Sequence, residues 1–307
     1  MVNQTFYFYI VTFSKNVEEQ YLSFAMIFLL YVMSIVWNLT IFLVIILDEH
    51  LQSPMFFFLC NLSFVDILYT SVTLPKLLDV LLTGDDRISF VACLSQLCFF
   101  ISSACTEIFL LTVMSYDRYV AICHPLHYVL LMSRSKCFRL VASCWILASS
   151  ASILVTISAS TLDFCGSKNI NHMFCDMKIL TILSCGSKRM FEFLTYVETF
   201  LLGVCPFILI LMSYSKIILN ILKIHSAGQR MKTFSTCISH LVVLLIFYGT
   251  LFCMYMRPAS ENSEKLDLMF SVLYLAVTPT LNPLIYSLRN KDIKDAIRKK
   301  IFSKHFV

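Results

Sequence analysis

Met114-Ser115-Tyr116-Asp117-Arg118-Tyr119-Val120-Ala121-Ile122-Cys123-His124-Pro125-Leu126-His127-Tyr128 sets a charged triplet at the end of a long apolar run. Upstream, from Leu94 to Met114, Glu107 is the one charged residue. A charge inside or at the edge of such a run is costly in hydrocarbon and points to function by default. The rest of the chain matches that setting: 58% of residues are hydrophobic, 14% are charged, and the mean hydropathy is +0.79. A soluble domain of 307 residues has no core large enough to hide that much apolar surface.

Working outward from the triplet, seven apolar windows are each long enough to cross roughly 30 Å of hydrocarbon at about 1.5 Å per residue. They lie near 22–47, 55–82, 94–119, 138–162, 193–219, 234–256 and 266–288. The expected fold is an all-α integral membrane protein, a seven-transmembrane helix bundle. Residues 1–21 form an outer N-terminal segment, 22–288 the membrane domain and 289–307 a cytoplasmic tail. No window repeats another, which disfavours a transporter built from inverted repeats. In the tail, Asn290 is placed to cap a short helix with Ile293, Ala296, Ile297 and Ile301 on one face and Lys294, Lys299 and Lys300 on the other. This pattern suits an amphipathic helix lying at the membrane interface.

The net charge of +5 does not point to nucleic acid, because the basic residues cluster beside apolar windows without interleaved aromatics. They set topology instead. Arg134, Lys136 and Arg139 follow span three, Lys223, Arg230 and Lys232 follow span five, and Arg289, Lys291, Lys294, Arg298, Lys299, Lys300 and Lys304 follow span seven. The positive-inside rule makes those sides cytoplasmic and the N-terminus extracellular, in a multi-pass plasma-membrane protein. The first twenty residues have no basic segment ahead of an apolar core, so no cleavable signal is expected. Asn3 of Asn3-Gln4-Thr5 is then an accessible glycosylation acceptor, whereas the sequons at Asn38 and Asn61 fall inside spans. Of thirteen cysteines, Cys93, Cys165, Cys175 and Cys185 fall on the oxidising side. Four such cysteines allow two disulfides in three connectivities.

Along span three, Phe100, Ala104, Glu107, Leu111, Met114 and Arg118 recur at steps of four and three, one helical stripe. Since charge avoids lipid, the stripe faces the bundle. It places Glu107 near the midplane and Phe100 in the outer half. Asp66 and Asn282 reach about the same depth. Two carboxylates and an amide there form either a protonated, hydrogen-bonded packing cluster or a site for a hard cation such as Na⁺. In span seven, Val272, Leu275, Pro279, Asn282 and Tyr286 share a face, with a kink expected at Pro279 and Pro283. In span six, Tyr248, Phe252 and Tyr255 form an aromatic stripe. Glu198 lies in the outer third of span five, where it either lines the interior or snorkels to the rim. No phosphate loop, nucleophile elbow or zinc signature is present, and Pro125 breaks the helix that would aim His124 and His127 at one metal. The chain reads as a binding protein, not an enzyme.

Pro54-Met55-Phe56-Phe57-Phe58-Leu59, the Met114–Tyr128 stretch, Ser213-Tyr214, Lys232-Thr233-Phe234-Ser235-Thr236-Cys237 with Ser239-His240-Leu241, Phe247-Tyr248-Gly249 and Pro279 through Asn290 together resemble the odorant receptors, a family of rhodopsin-like G-protein-coupled receptors. The resemblance implies that Asp117, Arg118, Tyr119, Tyr214, Lys232 and Tyr286 serve G-protein coupling and activation. It implies bonds between Cys93 and Cys175 and between Cys165 and Cys185. It also favours the cation reading of Asp66, Glu107 and Asn282, with no other cofactor. A small, volatile odorant would bind among Phe100, Ile101, Ala104, Cys105, Glu198, Leu202, Tyr248, Leu251, Phe252, Tyr255 and Leu275. The implied partners are that odorant, membrane lipid and a heterotrimeric stimulatory G protein of the olfactory type, which raises cyclic AMP. The alternatives are a receptor for a non-volatile small molecule and a small-solute transporter or channel. Trp37-Asn38 and Phe56 depart from the family's usual Gly-Asn and Tyr, and Glu198 is unusual for the pocket.

Overall fold

A computed structural model describes residues 6–10, 16–165, 168–170, 172–255 and 269–302. Seven helices in it are long and apolar enough to cross a membrane. They run Val17–Leu47, Pro54–Thr83, Phe90–Cys123, Arg134–Ser160, Arg189–Leu222, Ala227–Tyr255 and, for span seven, from residue 269 through Arg289. Span three is the most buried of them and packs against spans two, four and five. Spans one, four and five show their apolar side chains outward, as in Leu29, Ile146 and Leu209, where lipid replaces protein as the neighbour.

Several helices extend past their apolar windows, because hydropathy marks hydrocarbon thickness while backbone hydrogen bonding continues into polar sequence. Span one starts at Val17, five residues before the expected start. The Asn16 side chain accepts from the Glu18 N–H at 3.1 Å, and Glu18 and Glu19 suit the positive end of the helix. Span six likewise begins at Ala227 and carries the polar run Gly228–Thr233 ahead of its apolar part.

Two spans are locally widened to π-helix, at Thr199–Val204 in span five and Leu273–Val277 in span seven. Each ends two residues before a proline, Pro206 and Pro279. A proline has no N–H for the carbonyl four residues back and its ring crowds that turn, and shifting to the wider hydrogen-bond pattern relieves both. Pro75 and Pro283 lie inside helices that stay α. At Pro283 the missing donor is replaced from another span: the Asn38 side-chain N–H donates to the Pro279 carbonyl at 2.9 Å and to the Ser34 carbonyl at 3.0 Å. The sequon at Asn38 is therefore a buried tie between spans one and seven.

At the end of the bundle where the disulfides lie, the segment expected to be a simple outer tail forms a strand. β1 (Tyr7–Ile10) pairs antiparallel with β2 (Arg87–Ser89), setting Phe8 opposite Ile88, and parallel with β3 (Asn169–Ile170), setting Ile10 beside Ile170. Alternation puts Phe8 and Ile10 inward and Tyr7 and Tyr9 outward. Phe8 meets Phe6 and Phe164 edge-on, with ring centres 5.1 and 5.2 Å apart. The long connection between spans four and five is pinned below by two bonds, Cys93–Cys175 and Cys165–Cys185. At the opposite end, Asn290 accepts from the N–H groups of Asp292 and Ile293 and starts a terminal helix, Lys291–Phe302. Its Ile293 and Ala296 are buried and it packs against span one, while Lys294 and Lys299 are exposed.

Replacing Asn38 with Ala strands the Pro279 carbonyl in a dry interface, so it should cost about 1–3 kcal/mol and lower the thermal unfolding midpoint of the purified protein. Asn61→Ala, which removes a bond within its own helix only, should shift the midpoint far less. Equal shifts for the two variants would contradict the tie between spans.

Candidate functional site: a line of polar and aromatic groups through the bundle

The inner face of span three carries the site, and its stripe is buried from Phe100 through Ala104, Glu107, Leu111 and Met114. Three tiers lie along it.

The outer tier is aromatic. Phe100 stands 4.6 Å from Phe174 of the long connection, 5.4 Å from Tyr69 of span two and 6.4 Å from Tyr274 of span seven, between ring centres. Phe174 in turn meets His172, whose Nε2 lies 3.1 Å from the Ser271 hydroxyl. Gln96 locks this roof to the bundle. Its side-chain N–H donates to the Val72 carbonyl and its Oε1 accepts from the Cys175 N–H, both at 3.0 Å, beside the Cys93–Cys175 bond. Of the expected pocket residues, Phe100, Ile101, Ala104, Cys105, Glu198 and Leu275 are buried, and Leu202, Tyr248 and Leu251 are partly buried. Glu198 does not snorkel: it is 8% exposed, and its Oε1 accepts from the Cys105 thiol at 3.6 Å.

Phe252 is a correction. It is 66% exposed and points away from the bundle. The inward line of span six runs His240, Leu244, Phe247, Leu251 and Met254, one residue out of phase with the expected aromatic stripe, and one residue is about 100° of helix rotation. Tyr248 lies at the edge of that line, packed on Phe207 with ring centres 4.8 Å apart. The side chains of Tyr255 and Lys232 and the whole of Asn3 lie outside the described residues. Tyr69, Phe174 and Tyr274 were missed by sequence reasoning. For Tyr274 the reason is the π segment, which buries Tyr274, Leu275 and Ala276 consecutively and defeats a 3.6-residue period.

The middle tier is polar. Asp66, Glu107 and Asn282 are all buried, and the Asn282 amide N–H group reaches Asp66 Oδ1 and Oδ2 at 3.3 and 3.2 Å and Glu107 Oε1 at 3.1 Å. One amide thus bridges two carboxyl groups. Two like charges this close in a dry interior cannot both persist without a proton or a cation.

The third tier is charged. Asp117 is fully buried and its neighbour Arg118 is 20% exposed. The Arg118 Nε and Nη2 donate to Asp117 Oδ2 at 3.1 and 2.6 Å, and the Tyr128 hydroxyl donates to Asp117 Oδ1 at 2.8 Å. Burial, with the Asp117 carboxylate beside it, pushes the Tyr128 phenol up from its ordinary value, so it stays a donor at neutral pH. Tyr119 turns the other way, to His124 Nε2 at 3.0 Å. Tyr214 and Tyr286 meet through a residue not singled out beforehand, His240: its Nδ1 is 2.5 Å from the Tyr214 hydroxyl and its ring lies 6.4 Å from that of Tyr286. His240 joins spans five, six and seven. In the sequence it stood only as part of the Ser239-His240-Leu241 motif, with no role of its own.

Removing the bridging amide with Asn282→Ala should lower the thermal midpoint strongly, and the same change in a Glu107→Gln background should cost clearly less, since one of the two acids is then neutral. Additive effects of the two changes would sink the bridge.

The olfactory receptor family model matches residues 27–304. Olfactory receptor 1G1 of Gorilla gorilla gorilla is 45% identical over 295 residues, covering 96% of this chain and 94% of that protein. Human olfactory receptor 7C1 is 44% identical over 290 residues, covering 94% and 91%, and mouse olfactory receptor 1E16 is 44% identical over 287 residues with the same coverage. Receptors of this kind bind odorants and act through G proteins; they are not enzymes. With seven spans and a match along nearly its whole length, this multi-pass membrane chain belongs to the olfactory receptor family of G-protein-coupled receptors.

Proposed function

We propose that the outer tier binds a small, volatile odorant, and that binding is relayed along span three to a stimulatory, olfactory-type G protein that raises cyclic AMP. The observation that carries this reading is the buried stripe from Phe100 through Glu107 to Met114, which continues on the same helix to the partly buried Arg118. A rigid helix of about 38 Å between Cys93 and Arg118 couples its two ends mechanically. An odorant with higher affinity for one arrangement of the spans shifts the population towards it. In the receptive arrangement Arg118 leaves Asp117 and, with Tyr119, Tyr214, Lys232 and Tyr286, opens a seat for the G protein. The N-terminus then faces outside the cell, with Asn3 as glycan acceptor, and the Arg118 end faces the cytoplasm of a plasma-membrane receptor.

The middle tier is proposed as a Na⁺ site. Asp66 and Glu107 are hard oxygen donors, as that ion requires, and Asn282 orients both. Exchanging Na⁺ for a bulky organic cation should lower the thermal midpoint of the purified receptor, and Asp66→Asn should abolish the Na⁺ dependence. An unchanged dependence in that variant would refute the site.

Odorant-evoked cyclic AMP should vanish in cells lacking the stimulatory G protein. Arg118→Ala should abolish the signal while odorant binding to the surface-delivered receptor stays measurable. Binding lost together with signalling in a correctly folded variant would contradict the division between tiers.

A further inference from the structure

We propose that Glu198 is the anchor for the ammonium group of a small apolar primary amine, bound between spans three and five. The inference rests on the outer tier being the odorant site and narrows the ligand class. Glu198 is 8% exposed and closes helix Arg189–Glu198 just ahead of the π segment Thr199–Val204. Its Oε1 takes the Cys105 thiol, which fixes the carboxyl group towards the interior of the bundle; its Oε2 is buried and has no hydrogen-bond partner among the described residues. Among the described residues the ion pairs are Lys76–Asp79, Arg87–Asp85, Arg118–Asp117 and Lys188–Glu192, and none reaches Glu198.

A buried carboxylate oxygen without a donor is costly, and native proteins rarely leave one so. A ligand that fills the gap must donate. An alcohol supplies the hydrogen bond alone, whereas an ammonium group supplies the hydrogen bond and the opposing charge, the stronger of the two combinations. Ile101, four residues before Cys105 and so on the same side of span three, provides buried apolar surface for a hydrocarbon body. A widened turn directly after Glu198 is the kind of helix irregularity that recurs at functional sites.

The test uses the full-length receptor with straight-chain and cyclic primary amines from butylamine to octylamine and their matched alcohols. Two readouts apply: cyclic AMP in cells, and the thermal midpoint of the purified receptor in nanodiscs. At least one amine should outperform its alcohol in both. Glu198→Gln should weaken that amine roughly 10- to 100-fold, the range set by loss of one charge-assisted hydrogen bond, and shift its alcohol far less. Glu198→Asp, which keeps the charge, should retain part of the amine response, and an unliganded midpoint near wild type shows that both variants fold. Amines no better than alcohols, no stabilisation by any amine, or an amine response untouched by Glu198→Gln would each overturn the inference. Neutral odorants that signal while amines neither signal nor stabilise would overturn it and leave the receptor reading standing. Amines that stabilise the receptor through Glu198 without any G-protein signal would uphold the anchor and sink the proposed signalling.

Discussion

Hydrocarbon offers no hydrogen bonds, so a polar group between the two ends of this bundle is stabilised by a partner inside the protein. That constraint accounts for most of the interior. Asn38 supplies the donor that Pro283 withholds from the Pro279 carbonyl. Asn282 divides its amide between Asp66 and Glu107. Gln96 reaches span two with one end and the disulfide loop with the other. The Thr280 hydroxyl bonds back to the Ala276 carbonyl just below the widened turn of span seven. Each of these bonds is modest against water, but in a dry interior its loss leaves an unsatisfied group, and that asymmetry gives the spans their registry.

Because the same side chains that fix the registry also line the axis of the bundle, the residues that hold the structure are the ones proposed to carry the signal. Span three is the most buried of the seven and carries the outer-tier aromatic Phe100, the midplane carboxyl of Glu107 and the Asp117–Arg118 pair in turn. Spans five and seven are the irregular partners, each widened before a proline.

The charged tier is held closed by short-range contacts. Asp117 receives both Arg118 and Tyr128 in a buried position, where the electrostatic gain is larger than at a surface. His240, wedged between Tyr214 and Tyr286, sits where spans five, six and seven converge.

Much of this was legible in the sequence. Seven apolar windows gave the spans, periodicity along span three gave the inward stripe, and the spacing of Asp66, Glu107 and Asn282 gave their common depth. These are local quantities, set by rise per residue and by the cost of charge in lipid. The rotation of span six was not legible, and Phe252 came out on the lipid side because a helix's phase about its own axis is fixed by its neighbours. Tyr274 was hidden because a π turn inserts a residue into the period. The inward aim of Glu198 depends on Cys105 of another span, and the pairing of Phe8 with Ile88 depends on two loops distant in the chain. The sequence by itself determined which segments cross the membrane and how deep each charge lies. Only the tertiary structure decided which way each face turns, because facing is a property of contacts between segments and not of any one of them.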